Sequence, residues 1–264
     1  MPVVTIALVL VNVIAYLLEI RHGGSFFGGP RARVAVRFGA IPYELTHPGD
    51  HCGLVTHLTA AGQESGVVCQ GQPGVSGTPG SQPATWLTAF TSMFLHGSFL
   101  HIFGNMLFLA IFGPNVEDAM SRWRFLVFYL LGGLVALAAQ VAVSPDSTGP
   151  TLGASGAIAA VLGGYILLYP RARVITLILI VFFFTIVELP ALVLLGLWFL
   201  EQLWFGLAGL ASPVGGSEGV AYFAHIGGFL FGLLAIRLFA SRRAAPGSGP
   251  GGPAGPDAGA AFAA

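Results

Sequence analysis

Leu152-Gly153-Ala154-Ser155-Gly156-Ala157-Ile158-Ala159-Ala160-Val161-Leu162-Gly163-Gly164-Tyr165-Ile166-Leu167-Leu168-Tyr169 is an uncharged run with one serine near its start. Crossing ~30 Å of hydrocarbon takes about 20 apolar residues in a helix, so this run reads as a membrane span. The rest of the chain agrees. Of 264 residues, 55% are hydrophobic and only 8% charged, and the mean hydropathy is +0.82. A water-facing surface belongs to chains with about 25% charged residues, so a soluble enzyme is excluded. Disorder is excluded for most of the chain by its apolar content. Net charge is zero, lysine is absent and the 11 arginines are scattered, which argues against a nucleic-acid partner. The apolar runs do not alternate in the segments of roughly ten residues that build a membrane barrel. The chain therefore reads as an all-α membrane protein in a lipid bilayer.

Working outward from Leu152–Tyr169, five further runs read as spans. The first is Val3 to Ile20, taken as a span and not a cleaved signal because no basic segment precedes it and no small-x-small site follows. The second is Phe99 to Phe112, extended upstream by Trp86 to Leu95, and the third is Phe125 to Val143. Leu152–Tyr169 is the fourth, Pro190 to Ala211 the fifth and Val220 to Phe239 the sixth. Val174 to Val187 is apolar too, but as a helix it would reach only ~21 Å. Runs of this length are re-entrant or interfacial more often than spanning, so it is left out of the count.

With six spans both termini share a side. Loops on that side carry Arg122, Arg124, Arg171, Arg173, Arg242 and Arg243; the other side carries Arg21, Arg31, Arg33 and Arg37 in one long loop, which weighs less in the positive-inside rule. Both termini are accordingly expected in the cytoplasm. The expected divisions are a first span over 1–20, an extracytoplasmic loop over 21–83, a core of five spans over 84–243 and a Gly/Ala/Pro-rich disordered tail over 244–264. The long loop is rich in Gly, Ser, Pro and Gln from Gly71 to Pro83, which reads as mobile. It also holds both cysteines, Cys52 and Cys69. In an oxidising compartment these are expected to form a disulfide, worth ~3 kcal/mol by chain entropy. A metal site combining them with His47, His51 or His57 is the rival reading, but no C-x-x-C or H-x-x-x-H pattern supports it.

Polar groups inside spans are costly and mark function. His101 and Asn105 open the second span, Ser155 the fourth and His225 the sixth. Even-numbered spans run in one direction, so these residues reach one depth near the outer face. A crossing by Val174–Val187 would destroy this convergence. A serine becomes a nucleophile when a base takes its proton, and His225 is the only histidine on a later span. Ala224, Gly228 and Gly232 form a small-residue stripe beside it; Gly156, Ala160 and Gly164 form another. Such stripes allow close helix approach. No Asp lies within a span, so a Ser-His dyad is expected and not a triad. His101 and Asn105 share a helix face and, with the Ser155 N–H, are candidate oxyanion donors. Gly153 leaves room for a substrate backbone. Taken singly, each polar residue also has a structural explanation as a helix-packing or interhelical hydrogen-bonding group.

His96-x4-His101-x3-Asn105, Gly153-Ala154-Ser155-Gly156 and Ala224-His225-x2-Gly228-x3-Gly232 resemble the rhomboid family of intramembrane serine proteases, in order and spacing, across Trp86 to Phe239. Phe38-Gly39-Ala40-Ile41-Pro42 and the first span also look typical of bacterial members. The resemblance implies a six-transmembrane-helix bundle in a bacterial inner membrane, with a water-filled cavity. It implies Ser155 as nucleophile, His225 as general base, an oxyanion hole of His101, Asn105 and the Ser155 amide, and His96 in support. It implies single-span membrane proteins as substrates, and neither metal nor cofactor.

Two departures stand out. Many relatives carry a Tyr four residues after the serine, against which the histidine packs; here that position is Ala159, which leaves open what orients His225. Many also carry a Trp-Arg pair in the first loop, whereas Trp123-Arg124 falls in the second. Glu201 in the fifth span reads as part of a water-retaining network beside Gln202, or more simply as a protonated carboxyl bonded to a neighbouring helix. Trp198, Phe199, Trp204 and Phe205 around it either gate lateral access or face lipid. Glu117-Asp118 with Arg122 and Arg124 reads as a solvated loop. The alternatives to a protease are an inactive relative that binds membrane clients and a transporter using the buried histidines and Glu201.

Overall fold

The structure, a computed structural model, describes residues 1–59, 62–75, 82–180, 183–211 and 220–241. The tail over 244–264 and residues 76–81 of the Gly71–Pro83 stretch lie outside the described residues. The helices of the bundle are α1 (Val3–Arg21), α5 (Phe99–Ala119), α6 (Arg122–Val143), α7 (Ser155–Leu168), α8 (Ala191–Ala211) and α9 (Tyr222–Phe239), and the short helices α2 (Ala32–Phe38), α3 (Pro42–Thr46) and α4 (Thr85–Thr91) lie in the connection between α1 and α5. All but α7 of the bundle helices are long and apolar enough to cross a membrane. The protein is a multi-pass helical membrane protein.

α1 shows how a bilayer inverts the usual amphipathic pattern. Its buried residues are Thr5, Leu8, Asn12, Tyr16 and Glu19, spaced three or four apart on one face. Ile6, Leu10, Ile14 and Leu17 are exposed instead. Lipid tails solvate the apolar face, so the polar groups turn inward to find partners. One such partner corrects the expected solvated loop at Glu117. This residue is 4% exposed. Its carboxylate accepts from the backbone N–H of Val4 (2.9 Å) and from the N–H and hydroxyl of Thr5 (both 2.8 Å). Pro2, the N-cap residue of α1, offers no side-chain acceptor, so α5 caps α1 from outside and fixes the two helices antiparallel.

Three expected boundaries move. Trp86–Leu95 does not extend the second span; it forms α4 and a 3-10 turn over Ser92–Phe94. Leu95 is extended (φ −88°, ψ 145°), and Ser98 then caps α5, its hydroxyl accepting from the His101 N–H at 3.2 Å. At its far end α5 continues past Phe112 to Ala119, with Pro114 inside the helix. The fourth helix starts at Ser155 and not at Leu152, because Gly153 takes φ +114°, a conformation that an L side chain resists. α7 has only 14 residues, about 21 Å, yet every residue from Gly156 to Ile166 is buried. It is the central post of the bundle, packed against α5, α6 and α9.

The helix backbones meet at the small residues. A Cβ on Gly228 would strike the carbonyl oxygen of Gly156, and one on Gly232 that of Ala160. Gly156 itself has the Ala136 methyl 2.6 Å from where its own Cβ would stand. These approaches are why α7 and α9 lie in contact along their length.

The described residues of Val174–Val187 are not helical. They fall within an antiparallel hairpin, β3 (Arg173–Ile180) with β4 (Phe183–Pro190), registered from Arg173↔Pro190 to Ile180↔Phe183. β-branched and aromatic residues favour this form. The hairpin joins the end of α7 to the start of α8 without adding a span. A second hairpin, β1 (Cys52–Thr59) with β2 (Gly62–Cys69), sits in the long first loop. Cys52 faces Cys69 across it, and a disulfide joins them. Its base packs on Val36, Ile41 and Tyr43, while the Cys52 N–H donates to Glu44 Oε1 at 2.6 Å. Burial pushes the Glu44 carboxyl above its usual range, against this hydrogen bond and the nearby His51.

Candidate active site

Ser155, His225, His101 and Asn105 line one cavity of about 620 Å³ at the end of the bundle where α5, α7 and α9 begin. Three helices thus deliver their first two turns to one place. Ser155 opens α7, so its N–H has no partner in the preceding turn. Its Oγ lies 2.8 Å from His225 Nε2. On α9, the Ala224 N–H, one residue before the histidine, donates to the Ala221 carbonyl at 3.0 Å and also to the Gln140 side-chain oxygen of α6 at 3.3 Å.

The donors opposite the serine are similarly placed. His101 Nδ1 accepts from the Gly97 N–H at 3.4 Å, which leaves the proton on Nε2. That nitrogen stands 2.7 Å from where a Gly153 Cβ would be, so only glycine fits between it and the serine. Asn105 Nδ2 is 3.6 Å from the same point. It is buried with no hydrogen-bond partner among the described residues. A buried amide donor left unpaired is costly, and here it borders the cavity. The Gly153 N–H is tied to the Ser92 carbonyl at 2.8 Å. Ala40 and Thr151 exchange backbone hydrogen bonds of 3.2 and 2.8 Å. The Phe38–Pro42 segment thereby buttresses the strand that leads into Gly153.

His96 does not reach the serine directly. It is fully buried, with neither ring nitrogen hydrogen-bonded among the described residues, and its ring meets that of His101 edge-on at 5.2 Å. Its backbone N–H donates to Glu19 Oε2 at 3.4 Å. Gly156, Gly228 and Gly232 lie in the α7–α9 contact. Cys52 and Cys69 belong to the loop hairpin and not to the cavity.

Sequence reasoning missed three polar residues of the spans. Gln202, mentioned above only as a neighbour of Glu201, is the buried member of the pair; its Oε1 lies 2.7 Å from His225 Nδ1. Glu201 points outward and is exposed, so neither reading offered for it holds. Trp198, one turn earlier on α8, packs its ring 5.8 Å from that of His225, whereas Trp204 is 72% exposed. Glu19 and Asn12 on α1 are the other two, both buried. The signal for all three was available, since each is a polar group inside an apolar run.

A bundle of membrane helices with a serine–histidine pair in a cavity at one end defines a polytopic membrane protein. The rhomboid domain family model matches residues 83–242, well over half of the chain, and the chain belongs to the rhomboid family. It is 33% identical over 149 residues to "Rhomboid protein 1, mitochondrial" of Saccharomyces cerevisiae, covering 54% of this chain and 39% of that protein. It is 33% identical over 145 residues to "Presenilin-associated rhomboid-like protein A, mitochondrial" of Danio rerio, covering 54% and 34%. Against "Presenilin-associated rhomboid-like protein, mitochondrial" of Homo sapiens the identity is 29% over 145 residues, covering 54% and 35%. The match spans between a third and two fifths of the length of these relatives.

Proposed function

We propose that this chain is an intramembrane serine endopeptidase that cleaves single-span membrane proteins within or near the bilayer. The observation that carries the reading is the 2.8 Å contact between Ser155 Oγ and His225 Nε2 in a cavity bordered by the Asn105 amide, a donor without a partner among the described residues. Ser155 passes its hydroxyl proton to His225 Nε2 as Oγ attacks the scissile carbonyl carbon. Negative charge then builds on the former carbonyl oxygen, where the Ser155 N–H, His101 Nε2–H and Asn105 Nδ2–H are positioned to receive it. Collapse breaks the C–N bond, and the His225 imidazolium protonates the departing amine. Water, deprotonated by His225, then hydrolyses the acyl ester and regenerates the serine. Small residues at the cleavage site suit a cavity lined by Gly104 and Ala159. The scheme requires no metal and no cofactor. We place both termini on the cytoplasmic side of a bacterial cell membrane, so that the cavity and the Cys52–Cys69 hairpin face the oxidising exterior. The arginine distribution and the disulfide support this orientation.

The test is incubation of the full-length, detergent-purified protein with a panel of single-span substrates, beside labelling by a fluorophosphonate. Wild type should cleave and be labelled at Ser155. Ser155→Ala and His225→Ala should each abolish cleavage, and the double variant should be no worse, because nucleophile and base act as a unit. A folded wild type that neither cleaves nor labels would mark the chain as an inactive client-binding relative. Ion flux lost on His225→Ala without any labelling would mark a transporter.

A further inference from the structure

We propose that Gln202 is the positioning residue for His225, making the site a Ser155–His225–Gln202 array; this rests on the serine-protease reading above. Gln202 Oε1 stands 2.7 Å from His225 Nδ1, on the side of the ring opposite the 2.8 Å contact to Ser155 Oγ. An amide oxygen only accepts, so Nδ1 must carry the proton and Nε2 must present its lone pair to the serine hydroxyl. The other tautomer would set a nitrogen lone pair against a carbonyl lone pair in a site where Gln202 is 6% exposed.

The neighbouring side chains assign the same task to α8. Ala159, four residues after the serine, presents a methyl that cannot stack on an imidazole. Trp198 supplies the ring contact instead, at 5.8 Å and 36°. Trp198 and Gln202 are four residues apart and therefore share one face of α8. One holds the face of the imidazole and the other its Nδ1 edge. A neutral acceptor also suits the bilayer, where a buried carboxylate would carry a large desolvation cost. Gln202 does not line the cavity; it acts through the histidine.

The experiment measures the rate at which a fluorophosphonate modifies Ser155 in the full chain, across pH, with thermal unfolding recorded in parallel. Among the described residues, the titratable groups around His225 are His101 across the cavity and Tyr222 one turn earlier on α9; Glu201 on α8 is exposed and points away. Gln202→Leu should slow labelling per folded molecule about 10- to 100-fold, less than the roughly 10⁴ lost when the carboxylate of a Ser-His-Asp triad is neutralised. Gln202→Glu should restore fast labelling and move the pH midpoint upward by about one unit or more, because an adjacent anion favours the imidazolium. Glu201→Gln should match wild type. A folded Gln202→Leu protein that labels at the wild-type rate would overturn the inference and leave Gln202 as an interhelical contact. Should Gln202→Leu not fold, Gln202→Glu decides: an unmoved midpoint overturns the proposal. Absent labelling of wild type would instead defeat the protease reading itself.

Discussion

Gly228 of α9 lies so close to Gly156 of α7 that a Cβ on the former would collide with the carbonyl oxygen of the latter. The contact is one residue from the serine on one helix and three from the histidine on the other. Helix approach and the Ser155–His225 distance are therefore one geometric quantity. Gly228→Val should push α9 away from α7, eliminate labelling of Ser155 and lower the unfolding temperature together. Full labelling in a folded Gly228→Val protein would show that the dyad does not depend on this approach.

Asn105→Ala removes a donor beside Gly153 and leaves the dyad in place. Loss of one such donor in a soluble serine protease costs roughly 10²–10³ in turnover, about 2.7–4 kcal/mol. Here His101 and the Ser155 amide remain, so the loss should sit at or below the lower end. Turnover should fall more than apparent substrate affinity, since the charge exists only in the transition state. His101→Ala should act in the same direction, and the double variant should lose less than the sum if both serve one oxygen. Unchanged turnover with a lower unfolding temperature would make Asn105 an interhelical contact only.

Glu117 supplies the acceptors for the first turn of α1. Glu117→Ala strands the Val4 and Thr5 donors in a buried place and should destabilise the docking of α1 by about 1–3 kcal/mol. Glu117→Gln retains one acceptor and should lose less. Thermal unfolding in detergent, together with protease sensitivity of the α1–α5 connection, measures both. Ser155 labelling at low temperature should persist, because this contact lies at the end of α5 remote from the cavity.

The Cys52–Cys69 bridge predicts that protein taken from membranes resists thiol alkylation until it is reduced. Replacement of both by Ser should loosen the β1–β2 hairpin, with a loss of up to ~3 kcal/mol locally by the chain-entropy estimate, and leave labelling of Ser155 within about twofold, since surface changes remote from a site cost little. Immediate alkylation of both in the native membrane would contradict the bridge and the exterior placement of the loop.

Much of this protein was legible in one dimension. Uncharged runs such as Leu152–Tyr169 determine helices, because a bilayer leaves the backbone no other way to satisfy its hydrogen bonds. Ser155, His225, His101 and Asn105 stood out because polar groups are rare where burial in lipid penalises them. Direction followed from counting spans: the first turns of α5, α7 and α9 had to converge. The tertiary structure alone decided what depends on partners distant in sequence. Val174–Val187 folds as a hairpin because its two halves can pair with each other, which periodicity in an all-apolar run does not reveal. Glu117 looked solvated until α1 placed two free N–H groups and a hydroxyl beside it. The orientation of His225 rests on Trp198 and Gln202, on a different helix from the serine that it serves. No local pattern near Ser155 or His225 encodes that choice, because it is set by how α8 packs against α9.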